Sequence, residues 1–224
     1  MVSAIKHMDA RYCLSRMLVW FAISMPLLAD SIVSQRHLDV LRREYGDAAY
    51  QRGLQLQLTL TEIAGLSERQ KLERVNKFFN QFTYLDDMEN WQQRDYWATP
   101  EEFIGRMQGD CEDYVIAKYF ALREVGVAES KLFLTYVQAT ELNVAHMVLT
   151  YFETPQSTPL VIDNYDPRIL PASERKDLLP VYSFNARSFF LTDGSAGLGI
   201  KVPTSKIKNS KWTALLESLQ DGDK

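Results

Sequence analysis

Gly109-Asp110-Cys111-Glu112-Asp113-Tyr114 sits between two kinds of sequence, helical before it and strand-like soon after it. Behind Cys111, Val115, Ile116, Tyr119 and Leu122 recur at helical spacing and predict an apolar helix face. Gly126 marks the helix end, because glycine adopts the left-handed conformation of a C-cap at little cost. Gly109 and Asp110 occupy the turn and N-cap positions. Cys111 therefore opens a helix, with its sulfur at the positive end of the helix dipole. That position lowers a thiol pKa and surrounds an adjacent oxyanion with backbone N–H groups. The chemistry it suggests is nucleophilic.

Upstream, Leu38, Leu41, Tyr45 and Ala49 predict one amphipathic helix from Val33 to about Gln55, with Gly46 as its weak point. Ser67 with Gln70 forms a capping box for a second helix, whose stripe of Leu72, Val75, Phe78, Phe79 and Phe82 reads as core. A polar, aromatic-rich loop runs from Thr83 to Ala98. Thr99-Pro100-Glu101-Glu102 then begins a third helix, with Thr99 as cap, Pro100 at the first position and Glu102 closing the box.

Beyond Gly126 the period changes to two. Leu132 to Ala139, Val144 to Phe152, Leu160 to Asn164 and Val181 to Leu191 predict strands, with prolines punctuating the joins. Gly194 to Gly199 predicts a flexible loop. Ile207, Leu215, Leu216 and Leu219 predict a closing C-terminal helix. Helices followed by a mostly antiparallel sheet make an α+β fold.

A chain of 224 residues carrying 25 Lys+Arg against 29 Asp+Glu suits one packed domain and is not built to seek nucleic acid or an anionic membrane. The N-terminus differs in kind. Lys6, Arg11 and Arg16 precede the apolar run Met17–Met25, and Ala29 offers a small residue for cleavage. A secretory signal peptide over residues 1–29 is expected, leaving residues 30–224 as a single exported domain. The run is too short for an ordinary membrane span. Cleavage removes Cys13, so the mature chain keeps Cys111 alone and forms no internal disulfide.

A nucleophilic thiol needs a base, and the base needs an orienting group. After residue 29 the histidines are His37 and His146. His37, beside Arg36, is expected on the solvated face of the first helix. His146 lies in a strand, and Asp163 closes the next apolar strand, from which a carboxylate reaches a neighbouring imidazole. One cysteine and one suitable histidine leave zinc without ligands. No glycine-rich phosphate loop or dinucleotide fingerprint precedes a helix. For a second oxyanion donor, Trp91, Gln92 and Trp97 are candidates from the loop before the nucleophile.

These residues resemble one known family, the LapG-type bacterial transglutaminase-like cysteine proteases of the periplasm. Its likeness is carried by Trp97-Ala98-Thr99-Pro100-Glu101-Glu102, the Gly109–Tyr114 core, Ala145-His146-Met147-Val148-Leu149 and Leu160-Val161-Ile162-Asp163-Asn164, in that order. Leu54 and Leu56 depart from it, standing where an aromatic residue is expected. The resemblance implies a papain/transglutaminase-like fold with Cys111 as nucleophile, His146 as base and Asp163 as orienter. As substrate it implies the N-terminal retention segment of a large surface adhesin, cut at a small-residue, Ala-Ala-like site to disperse biofilm. As partner it implies an inner-membrane receptor of the LapD type that restrains the protease in response to cyclic-di-GMP.

Three acids crowd the nucleophile: Asp110, Glu112 and Asp113. Acids favour helix N-termini, and capping alone accounts for one or two of them. Against that, a carboxylate about 5 Å from a thiolate costs it roughly 3 kcal/mol at an effective dielectric near 20, or about two pKa units. A hard divalent cation on these oxygens cancels the penalty, and the resemblance implies Ca²⁺ at Asp110, Glu112 and Asp113. Two other readings stay open: a transglutaminase that passes its acyl group to an amine, and a non-catalytic binding module on the same scaffold.

Overall fold

The computed structural model describes residues 31–192, 197–203 and 210–221. The expected signal peptide, Ile207 and part of the Gly194–Gly199 loop lie outside the described residues. In chain order the helices before the sheet are α1 (Gln35–Tyr45), α2 (Asp47–Ile63), α3 (Glu68–Phe79), α4 (Asp87–Asn90), α5 (Pro100–Arg106) and α6 (Cys111–Glu124). Two short strands, β1 (Thr83–Tyr84) and β2 (Gln108–Gly109), interrupt them. The strands β3 (Leu132–Ala139), β4 (Val144–Tyr151), β5 (Leu160–Ile162), β6 (Leu170–Pro171), β7 (Leu178–Phe184), β8 (Phe189–Leu191) and β9 (Ile200–Val202) follow, and α7 (Ser210–Asp221) closes the chain. Every pairing in the seven-stranded sheet, ordered β6-β5-β4-β3-β7-β8-β9, is antiparallel. The architecture is α+β, as its sequence periods require.

Two expected elements are each divided in the structure. The first helix breaks at Gly46, whose φ of 84° is open to glycine and whose N–H closes α1 on the Arg42 carbonyl at 3.1 Å. α2 then continues to Ile63, with Leu56 fully buried and Leu54 packed against the core. The strand expected over Val181–Leu191 is a hairpin. Asn185 turns it by accepting the N–H groups of Arg187 and Ser188 on its side-chain oxygen at 3.0 and 2.9 Å. Asparagine offers this local bond as a substitute for a ladder bond.

Both capping boxes form as expected. Ser67 and Gln70 start α3, while Thr99 and Glu102 start α5 with Pro100 in its first turn. α5 ends on Met107, which takes the left-handed conformation at φ 59°. That residue turns the chain into β2, which pairs in parallel with β1 through Thr83↔Gln108 and Tyr84↔Gly109. The Leu85 N–H also donates to the Gly109 carbonyl at 2.9 Å. The approach to Cys111 is thus clamped by backbone bonds rather than left as a loop. Gly109 is required by space: a Cβ there would stand 2.3 Å from Asp113 Oδ2 and 2.9 Å from the Phe103 ring.

α6 is the axis of the molecule. A single apolar face was expected, but Tyr114, Ala117, Ala121 and even Lys118 are buried along with Val115, Ile116, Tyr119 and Leu122. A helix buried all round is one packed from several sides. α3 and α5 lie against one flank of α6, and β3 and β4 against another. On β4, Met147, Leu149 and Tyr151 join the core shared with the helices, while Val148 joins a second cluster with Val137, Val161 and Leu178. Gly126, at φ 85°, ends the helix, and Val127 N–H returns to the Leu122 carbonyl at 3.0 Å. Among the described residues no helix is long and apolar enough to cross a membrane.

Candidate active site

Cys111 opens α6 at the edge of a cleft whose other side is β4. His146, on β4, lines the same cleft together with Tyr84, Trp97, Tyr136 and Tyr182. β4 pairs with β5 through Leu149↔Ile162, and the register carried one residue further sets Asp163 across from Val148. Val148 and His146 share a face of β4, so Asp163 reaches His146 diagonally. Its Oδ1 lies 2.8 Å from His146 Nε2 and also accepts the Tyr165 N–H at 3.1 Å. With Nε2 engaged by the carboxylate, Nδ1 is the ring nitrogen left for the thiol. The structure thus brings Cys111, His146 and Asp163 to one place from three elements.

Asp163 is anchored on every side. It is fully buried, and its Oδ2 accepts from Arg175 Nη2 at 2.9 Å. Its backbone carbonyl accepts from Asn80 Nδ2 at 2.9 Å and Lys118 Nζ at 3.2 Å. Burial pushes the carboxyl pKa up, but the hydrogen bond and charge of His146, the Tyr165 amide and Arg175 outweigh it and hold it at about 2. Lys118, wholly enclosed, is pushed down to about 7 by burial, with the Asp163 charge opposing.

His37 is not on a solvated face. It is part-buried, with Nδ1 2.7 Å from Ser34 Oγ at the start of α1 and Nε2 3.9 Å from Glu101 of α5. It ties two helices together and lies outside the cleft. Of the three candidate oxyanion donors, Trp97 alone lines the cleft; it stacks on Phe184, and its indole N–H is taken by Asp95 at 3.1 Å. Trp91 packs under the Arg106 guanidinium instead, and Gln92 is an exposed left-handed turn residue. The donor that the structure does offer is the Cys111 N–H itself, at the first helical position, where no intrahelical partner exists.

The acids around Cys111 have separate roles. Asp110 stands at the N-cap position but makes no capping bond. It converges instead with Glu112 and with Asp87 of α4, with one oxygen from each lying within 4.8 Å of the others. Asp113, expected with Asp110 and Glu112, is not one of the three converging acids, although its Oδ2 is likewise buried without a hydrogen-bond partner. Its Oδ1 accepts the Ala98 N–H at 2.8 Å and its Oδ2 faces Gly109, so it fastens the start of α6 to the segment before α5. Asp87 is itself aimed by the Tyr96 N–H, which donates to its Oδ2.

The charge of this group is uncompensated. Asp87 Oδ1 and Asp110 Oδ1 are buried without a hydrogen-bond partner. Burial, then the neighbouring Glu112 and Asp113 carboxylates, push Asp110 well up; burial likewise pushes Asp87 up to about 6. Burial, then Glu112, also push the Cys111 thiol up, overriding the lowering expected from the helix N-terminus. The thiol donates to Glu112 Oε2 at 3.0 Å. Orphaned carboxylate oxygens converging at short range fit a hard cation with oxygen ligands.

Comparison with known proteins places this arrangement. Residues 42–178 match the family model of the bacterial transglutaminase-like cysteine proteinases. The chain belongs to that family. The proteinase is also similar to solved structures of Legionella pneumophila LapG, with 38% identity over 82% of this chain and 96% of that one at a TM-score of 0.71. The calcium-bound form of that protein is 38% identical over 81% and 97% of the two chains, with a TM-score of 0.70. An EGTA-treated form is 37% identical over 82% and 96%, also at 0.70. No curated protein sequence matches.

Two parts of this proteinase's site escaped sequence reasoning. Asp87 lies 23 residues before Asp110, in a segment without periodicity; the β1–β2 pairing and the bond from Asn90 Nδ2 to the Gln108 carbonyl at 3.1 Å bring α4 to the start of α6. Arg175 follows a short turn, and nothing near it in sequence separates it from a surface arginine. Its side chain is 3% exposed, a value so low for arginine that it requires paired partners.

Proposed function

We propose that this proteinase is an endopeptidase in which Cys111 is the nucleophile, His146 its general base and Asp163 the group that orients and supports the imidazole. The observation that carries the reading is the His146 Nε2–Asp163 Oδ1 contact of 2.8 Å, in a cleft shared with a cysteine at a helix N-terminus. Asp163 fixes the tautomer with the proton on Nε2, so Nδ1 accepts the thiol proton. The thiolate attacks the scissile carbonyl, and the Cys111 N–H stabilises the oxyanion. His146 returns the proton to the leaving amine, and water releases the acyl group from sulfur by the reverse sequence.

Asp87, Asp110 and Glu112 would hold Ca²⁺, whose charge offsets that of the acids beside the thiol. The calcium-bound form of the L. pneumophila relative supports this choice of ion. The substrate we propose is the N-terminal retention segment of a large surface adhesin, cut at a small-residue site. Export by cleavage after Ala29 and restraint by a cyclic-di-GMP-responsive inner-membrane receptor belong to the same proposal.

The test is incubation of the periplasmic protein, its N-terminus checked by intact mass for a start near Asp30, with an adhesin N-terminal fragment. Two smaller products, absent with Cys111→Ala, are expected. Crosslinked product of higher mass would point to a transglutaminase, and unaltered fragment with wild-type protein would remove adhesin cleavage from the reading.

A further inference from the structure

We propose that Arg175 is a positioning residue for catalysis, gripping Asp163 from the side opposite His146 so that its other oxygen stays aimed at the imidazole. The inference rests on the roles given above to Cys111, His146 and Asp163.

A carboxylate with one free oxygen can rotate and present either edge to its neighbour. Here that freedom is removed. Arg175 Nη2 holds Oδ2 at 2.9 Å, while His146 and the Tyr165 N–H share Oδ1. Arg175 is itself held by Asp177, which accepts from Nε at 3.0 Å and from Nη2 at 2.7 Å. The planar fork of the guanidinium lets one side chain serve two carboxylates in a fixed geometry, which an ammonium point charge does not do. The hairpin of β5 and β6 and the turn after it deliver Arg175 beneath Asp163, so the grip comes from a different segment of chain than the acid.

Stability alone is a poor reason for this arrangement. A buried ion pair costs desolvation, and an apolar replacement of similar volume is often neutral or stabilising. Arg175 adds to that cost, because its Nη1 is buried with no partner. A group retained at such expense directly behind the acid that faces His146 is best explained by what it does to that acid. Arg175 also borders the cleft near Cys111 and His146, so contact with substrate is the rival role.

The full-length protein with Arg175→Ala, Arg175→Lys and Asp177→Asn separates these roles. Cleavage of the adhesin fragment gives kcat and KM. Alkylation of Cys111 by iodoacetamide, followed by mass spectrometry at that residue, gives a readout independent of substrate. Thermal melting and circular dichroism report the fold. For a misaligned orienting group the expected loss in kcat is about a hundredfold for Arg175→Ala, with KM unchanged. Alkylation slows in parallel, Arg175→Lys recovers only part of the loss, and Asp177→Asn shows a smaller defect. Millimolar guanidinium, well below denaturing levels, raises kcat of the alanine variant, whereas sodium at equal ionic strength does not.

Wild-type kcat in the folded alanine or lysine variant overturns the proposal. A loss confined to KM replaces it with substrate contact. A folded but slow variant that neither lysine nor guanidinium improves assigns Arg175 to support of the fold. If the alanine variant does not fold, the lysine variant decides by the same criteria. Wild-type cleavage by Asp163→Asn and His146→Ala would instead sink the underlying reading, while inactive forms of those two beside fully active Arg175 variants would remove this inference alone.

Discussion

Asp163→Asn is expected to reduce peptide-bond cleavage about 10⁴-fold in a protein that still folds, as loss of the orienting carboxylate does to such a triad. The amide keeps the shape of the acid but removes the charge that supports the imidazolium, and its NH₂ group can meet Nε2 donor to donor. Folding survives because Arg175 retains Asp177 and because Asn80 and Lys118 hold the Asp163 carbonyl, which the substitution leaves in place. Losing charge-assisted bonds should nevertheless cost about 2 kcal/mol of stability. That loss has a pH signature. The carboxyl of Asp163 is held at about 2 in the folded protein against an ordinary value of 3.8. Its contribution to stability, about 2 kcal/mol, is therefore complete above pH ~4 and disappears as pH falls through ~2. Acid unfolding of Asp163→Asn, followed by circular dichroism, should lack that increment between pH 4 and 2. An active variant, or one whose acid limb matches wild type, would show that Asp163 does not carry the charge assigned to it.

Chelation with EGTA should lower the melting temperature and suppress cleavage, and added Ca²⁺ should restore both. A ligand at a hundredfold excess over its Kd stabilises by about 2.7 kcal/mol, on the order of 5–10 °C for a chain of this size. Two buried orphan oxygens, Asp87 Oδ1 and Asp110 Oδ1, motivate the expectation. Asp87→Asn and Asp110→Asn should each abolish the calcium-dependent part of the melting shift, read without any substrate. Asp113→Asn should destabilise the protein in both conditions and preserve the difference between them, because its Oδ1 is committed to the Ala98 N–H. Mg²⁺ should restore little, since it demands tight octahedral geometry and releases its waters reluctantly. Identical melting with and without chelator would leave the cluster as uncompensated acids. A calcium response lost in Asp113→Asn and kept in Asp87→Asn would restore the ligand set expected from the Asp110–Asp113 run.

The roles that sequence could assign depend on neighbours along the chain. Capping boxes at Ser67 and Thr99, the C-cap at Gly126 and the change of period after it are interactions between residues three or four apart, or two apart in strands. Order along the chain then implied an α+β fold, and the resemblance of the Cys111, His146 and Asp163 segments identified the family. The same local grammar could not anticipate the division at Gly46, because glycine permits either a continuous helix or a left-handed break, and packing of α1 against α2 selects the break. It also mistook His37 for a solvated residue, since Glu101 reaches it from a different helix.

What the tertiary structure alone decided is electrostatic and long-range. Asp87 reaches the acids of α6 from α4, Arg175 reaches Asp163 from beyond β6, and Lys118 is enclosed on a helix that periodicity showed as one-sided. The thiol illustrates the difference most sharply. Sequence places Cys111 at a helix N-terminus, which lowers its pKa, whereas the folded chain half-buries it beside Glu112 and Asp110, which raises it. A helix end is a local property fixed by a few residues. Burial and the distance between charges depend on which distant segments the fold brings together.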